Sequence, residues 1–141
     1  MNNDMALNKR RTSMVKLLIV DDHAIVREGL KRILANEPGM LVAGEAGNSF
    51  EAMQLIRADH FDVVLLDISL PGKNGLDVLK LIKSDKPHTR VLILSMFPED
   101  QYAVRVLRAG ASGYLAKESA PKELINAIRK AARGVQRDYG E

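Results

Sequence analysis

The chain contains no cysteine. That excludes a disulfide framework and any metal site held by thiolates, and it fits a reducing compartment. No apolar stretch approaches the roughly 20 residues of a membrane span, and the polar N-terminus lacks the apolar core of a signal peptide. A cytoplasmic protein without membrane association is therefore expected. Internal repeats and low-complexity segments are also missing, so nothing competes with a globular fold. A consistent charge is lacking too, although the net value is +3 over 141 residues. Lys9, Arg10, Arg11 and Lys16 lie at the front, and Lys122, Arg129, Lys130, Arg133 and Arg137 at the back. Between Leu17 and Glu118, acidic residues slightly outnumber basic ones. This layout reads as a solvated tail and the polar face of a last helix rather than a nucleic-acid surface. No sequence-specific DNA binding is expected of this chain alone.

What is present is ordinary for one globular domain: 46% hydrophobic and 28% charged residues, enough to bury a sizeable core. Residues 1–14 are polar and unpatterned and read as a disordered N-terminal extension. Residues 15–134 form the domain, and 135–141 a C-terminal tail. The central stretch is Phe61–Gly75. Its apolar run Val63–Leu66 predicts a strand buried on both faces. That strand runs into Asp67, and Leu70-Pro71-Gly72 and Asn74-Gly75 then force a loop.

Around this stretch, strands are predicted at Lys16–Val20, Met40–Ala46, Arg90–Leu94 and Gly113–Ala116. Helices alternate with them. His23–Asn36 carries Val26, Leu30, Ile33 and Leu34 on one side. A helix capped by Asn48, with Glu51 at capping-box spacing, carries Phe50, Met53 and Ile56 inward. Leu76–Lys83 and Tyr102–Ala109 follow, the latter closed by Gly110. A last helix is capped by Ser119, has Pro121 in its first turn, and buries Leu124, Ile125, Ile128 and Ala131. Strict alternation with right-handed crossovers predicts an α/β fold. It is a flavodoxin-like doubly wound five-stranded parallel sheet, order 2-1-3-4-5, with helices on both faces.

In that order the first strand lies beside the third, and their carboxyl ends bring Asp21 and Asp22 next to Asp67. The fourth strand ends at Ser95 and the fifth at Lys117. Singly, each residue has a plain explanation: a helix cap, a turn aspartate, a strand-end serine, an exposed lysine. Together, four strands deliver polar or charged residues to one sheet edge, where open α/β sheets bind ligands. Clustered carboxylates repel unless a cation lies between them. Oxygen donors alone select a hard ion, Mg²⁺ being the usual one. A carboxylate with Mg²⁺, a lysine and a hydroxyl around it suits a phosphoryl group, with the carboxylate as nucleophile.

The phrases Val20-Asp21-Asp22-His23, Leu66-Asp67-Ile68-Ser69-Leu70-Pro71-Gly72 and Ala109-Gly110-Ala111-Ser112-Gly113-Tyr114-Leu115-Ala116-Lys117 resemble response-regulator receiver domains of two-component systems. Within these they resemble the NarL/FixJ-like subfamily, whose members usually carry a C-terminal LuxR-type helix-turn-helix. The resemblance covers about Val15 to Gly134. It implies a phosphorylation-dependent signalling module whose phosphoacceptor is Asp67 and whose donor is a sensor histidine kinase. Asp22 and Asp67 would bind Mg²⁺ directly, Asp21 through water, and the Ser69 backbone carbonyl would complete the protein ligands. Lys117 would pair with the phosphate, and Ser95 and Tyr114 would form the switch. Transcription control through an output domain, with a homodimer on activation, is implied as well; a single-domain regulator is the alternative.

Two features depart from the broad family pattern. Glu118 follows Lys117 where a cis-proline is frequent, and Met96 and Phe97 are larger than many relatives have, narrowing access to the site. A rival from another class is an aspartate-nucleophile Mg²⁺ phosphohydrolase. That chemistry needs a second aspartate two residues after the nucleophile, and Ser69 stands there. A turnover enzyme is therefore not expected.

Overall fold

The computed structural model describes residues 14–71, 73–96 and 100–134. The expected N-terminal extension apart from Met14, the tail at 135–141, Gly72 and Phe97 lie outside the described residues. Five parallel strands make one sheet: β1 Val15–Val20, β2 Met40–Ala46, β3 Val63–Asp67, β4 Arg90–Ser95 and β5 Gly113–Ala116. Their spatial order is β2-β1-β3-β4-β5, the doubly wound 2-1-3-4-5 arrangement that strand–helix alternation predicts. The helices are α1 Ala24–Ala35, α2 Ser49–Ala58, α3 Gly75–Asp85, α4 Asp100–Arg108 and α5 Pro121–Ala132. None of the described helices is long and apolar enough to cross a membrane.

All five residues of β3 are buried, as its unbroken apolar run requires of a central parallel strand. Side chains alternate across the sheet and feed two separate cores. Leu18, Val20, Val64, Leu66, Ile93 and Tyr114 face α2, α3 and α4, meeting Met53, Ile56, Val78, Ile82, Ala103 and Val106. On the other side Leu17, Ile19, Leu65, Leu92 and Leu94 meet Leu30 and Leu34 of α1 and Leu124, Ile128 and Ala131 of α5.

Three local expectations need correction. Phe50 does not point inward; it is 70% exposed. The buried stripe of α2 is Ala52, Met53 and Ile56, and at about 100° per residue Phe50 falls roughly a third of a turn away from it. Ser119 does not cap α5. The N-cap is Ala120, with no side-chain cap, and Pro121 itself opens the helix. Pro121 lacks the N–H a cap would otherwise have to satisfy, and its ring fixes the helical φ. Asn74-Gly75 is likewise no free turn. Ser69–Leu70 and Lys73–Asn74 pair as a two-residue antiparallel ladder, and Asn74 caps α3 by accepting the Leu76 N–H at 2.7 Å. The Asn48 cap is as expected: its side chain accepts the Glu51 N–H at 2.9 Å, while the Glu51 carboxylate accepts the Gly47 N–H at 3.0 Å.

Candidate functional site: an acidic cleft at the carboxyl edge of the sheet

Each polar strand-end residue is placed by a main-chain bond to its neighbouring strand. Asp21 directly follows β1, and its N–H donates to Ala46 of β2 at 3.0 Å. Asp67 closes β3, paired with Leu94 of β4, and the next N–H, of Ile68, donates to the Leu94 carbonyl at 3.0 Å. Lys117 directly follows β5, and its N–H donates to the Ser95 carbonyl at 2.8 Å. The parallel register thus delivers Asp21, Asp67, Ser95 and Lys117 to one edge. No cis peptide occurs among the described residues, so the Lys117–Glu118 bond is trans.

Asp21 and Asp67 are both at most 2% exposed. Lys117 Nζ lies 2.7 Å from Asp21 Oδ2 and 2.9 Å from Asp67 Oδ2, bridging the two as an ion pair. Neither approach has the alignment of a hydrogen bond. Those two oxygens and Asp22 Oδ1 are buried without an aligned donor. The other Asp67 oxygen, Oδ1, accepts the Ser69 N–H at 2.9 Å. Burial pushes the Asp67 carboxyl above the ordinary carboxylate range, against the opposing pull of the Ser69 N–H and Lys117. For Lys117 burial works downward, but its contacts with Asp21 and Asp67 outweigh it and hold the ammonium above the ordinary lysine range. The lysine is therefore a fixed cation. It compensates part of the cluster's negative charge and leaves the rest for another cation.

The loop after Asp67 is locked by a close approach. Gly75 N–H donates to the Ile68 carbonyl at 2.8 Å. A Cβ on Gly75 would lie 2.6 Å from Ile68 Cα and 2.8 Å from the Asp67 carbonyl oxygen. Only glycine allows α3 to start this close to the strand end.

Two contributors escaped the sequence reading. Arg27 Nη1 donates to the Asp21 carbonyl at 2.7 Å while its Nε pairs with Glu45 at 2.9 Å, so α1 and β2 together brace the acidic turn. The second is His23, whose Nδ1 lies 3.3 Å from Asp21 Oδ1 and 3.1 Å from Asp22 Oδ1. One donor atom each from Asp21, Asp22, His23 and Asp67 fall within 4.8 Å of one another. That group adds a ring nitrogen to the carboxylate oxygens named from the sequence. A helix periodicity of apolar residues could not reveal this, because His23 precedes the first turn of α1.

Ser95 is buried and Tyr114 is 2% exposed. Since Tyr114 pairs with Ile93 and Ala116 with Ser95, Ser95 and Tyr114 lie on one face of the sheet. Tyr114 is already inside, among residues of the α2–α4 side. Met96, expected to narrow access, is 55% exposed.

The family model for the response regulator receiver domain matches residues 17–129. Response regulator UvrY of Escherichia coli O6:H1 is 40% identical over 121 residues, covering 86% of this chain and 56% of the relative. The transcriptional regulatory protein YxjL of Bacillus subtilis is 39% identical over 120 residues, 85% of this chain and 55% of the relative. The chain thus spans little more than half the length of these relatives. A crystal structure of a LuxR family two-component response regulator from Aurantimonas superposes with a TM-score of 0.84 at 38% identity, covering 88% of this chain and 89% of that one. A doubly wound sheet, a buried acidic edge and a match over most of the chain lead to one conclusion: this chain belongs to the response regulator receiver domain family, in its NarL/FixJ-like branch.

Proposed function

We propose that this chain is a phosphoacceptor switch that takes a phosphoryl group from a sensor histidine kinase onto Asp67. The observation that carries the reading is Asp67 itself. It is a buried carboxylate with one oxygen held by Ser69 N–H and the other facing Lys117 without an aligned donor. In the transfer, a carboxylate oxygen of Asp67 attacks phosphorus, the phosphorus bond to the donor breaks, and the donor leaves with the electron pair. Lys117 is already within ion-pair distance, so its ammonium offsets charge on the incoming oxygens without rearrangement.

The residues fit Mg²⁺: Asp21, Asp22 and Asp67 present buried oxygens lacking aligned donors, and together with the Ser69 backbone carbonyl they would hold the ion. When bound, Mg²⁺ supplies positive charge that screens the phosphoryl oxygens. Ser95 and Tyr114 form the switch. With Tyr114 already buried, its part is a shift of the ring toward space that Ser95 vacates rather than an entry from the surface. The site holds one phosphoryl group per chain and is not a turnover enzyme.

The wider role we propose is transcription control in the cytoplasm, through a DNA-binding domain of the whole regulator. It rests on the relatives named response regulator and transcriptional regulatory protein. Activation would favour a homodimer, and residues 15–134 act as the receiver unit without binding DNA sequence-specifically.

Incubation with Mg²⁺ and acetyl phosphate should add the mass of one phosphoryl group. The added mass should be absent with Asp67→Asn and absent when the metal is chelated. A mass gain that persists in Asp67→Asn would place the nucleophile elsewhere.

A further inference from the structure

The acidic cleft contains a nitrogen donor that a hard-ion site does not need. His23 follows Asp21-Asp22 directly, and its backbone N–H is pinned to Asp21 Oδ1 at 2.8 Å, which turns the chain so that the imidazole folds back over the carboxylates. Its side chain is 66% exposed, so only the Nδ1 edge is engaged. Nδ1 lies 3.1 Å from Asp22 Oδ1 and 3.3 Å from Asp21 Oδ1. Around a divalent ion with ligands at about 2.1 Å, donor atoms at right angles to each other stand roughly 3 Å apart. The nitrogen and the Asp22 oxygen already have that separation.

A second observation points into the same space. Asp21 Oδ2 and Asp67 Oδ2, on side chains at least nine-tenths buried, and Asp22 Oδ1 have no aligned hydrogen-bond donor. Lys117 touches the first two but supplies a single positive charge to three carboxylates.

We propose that His23 is a nitrogen ligand of this cleft, which makes the cleft a site for borderline divalent ions of the nickel, cobalt and zinc type as well as for a hard ion. With the proton on Nε2, the Nδ1 lone pair faces the carboxylate oxygens, and the ion occupies the place between them. Imidazole favours the later first-row ions, while carboxylates alone favour Mg²⁺. The inference rests on the acidic cleft being the cation site of the proposed phosphoacceptor. It is tested without any phosphodonor, so it stands or falls separately from the assignment of Asp67 as nucleophile.

The chain has three histidines. His60 pairs with Asp62 at 3.0 Å and His88 is exposed, so both are first replaced by alanine to remove other imidazoles. On the tag-free full chain in this background, Ni²⁺ and Mg²⁺ are titrated separately by calorimetry, with and without His23→Ala. Loss of a ligand should lower the ratio of Ni²⁺ to Mg²⁺ affinity by at least about tenfold. Paramagnetic Ni²⁺ should also shift and broaden the His23 ring resonances at substoichiometric addition. A ratio changed less than twofold, or a His23 ring that Ni²⁺ leaves unaffected, would overturn the proposal. His23→Asp distinguishes a lost nitrogen from a disturbed turn. It should keep Mg²⁺ binding while still losing the Ni²⁺ preference, and a retained Ni²⁺ preference would show that nitrogen is not the determinant.

Discussion

Lys117 holds apart two carboxylates that would otherwise face each other at the end of the sheet. Removing one partner of a buried charge cluster costs more than the cluster contributes, because the remaining charges are left uncompensated. Lys117→Ala should therefore lose ~3–5 kcal/mol of stability at neutral pH in chelator. The sign of the pH dependence follows from Asp67, whose folded-state pKa is raised by burial even with the lysine present. An acid of this kind costs the folded state stability above its folded pKa, and the cost fades as pH falls through that value toward 3.8. The deficit of the variant should shrink over that window as a proton replaces the ammonium, which urea unfolding at stepped pH would show. A deficit independent of pH would mean that packing, not charge, is what Lys117 supplies. At this scale the sequence was informative wherever a polar residue ends an apolar run. Asp21, Asp67, Ser95 and Lys117 all do, and all reach one edge. Arg27 and His23 were hidden, since the contacts that matter for them cross from α1 to β2 or fold back onto the preceding turn.

The segment from Asp67 to α3 is the element on which the site depends most closely. Gly75 starts the helix against the backbone of Ile68 and Asp67, with no room for a methyl group. Gly75→Ala should cost about 1–3 kcal/mol, since overpacking is relieved only by moving backbone. The same movement would carry the Ser69 N–H away from Asp67 Oδ1, so Mg²⁺ affinity should fall together with stability. Unchanged values in both calorimetric melting and Mg²⁺ titration would show that the Ile68 turn yields freely. Gly110, read from sequence as a helix stop, does carry a positive φ of 106°. Gly75 does not, and its reason for being glycine is proximity rather than conformation. That is why the chain order of Asn74-Gly75 suggested a turn instead of a helix cap. Phe50 misled for a related reason: an aromatic near a helix start was counted as core, although the stripe passes beside it.

At the scale of the molecule, the sheet separates two cores, and alternation along β4 and β5 assigns Ile93 and Tyr114 to one and Leu92 and Leu94 to the other. Strand order, helix count and the core stripes were legible because their periods are long and unbroken. Which helices share a core was not, since it depends on crossover geometry rather than on any local pattern. Tyr114 packs with Ala103 and Val106 of α4, while α5 is packed on the opposite side of the sheet. Ile128→Ala should destabilise by about 2–5 kcal/mol and Val106→Ala by about 2 kcal/mol, nearly additively when combined. Only Val106→Ala should alter the amide NMR shifts that a beryllofluoride adduct of Asp67 induces along α4 and β5. Equal changes from both substitutions would mean that the two cores are mechanically joined. If they are not, the sheet works as an insulator. A protein seated on α1 and α5 would find the same surface before and after the phosphoryl group arrives, whereas one seated on α4 would not, so docking and reading could be performed by different partners without either interfering with the other.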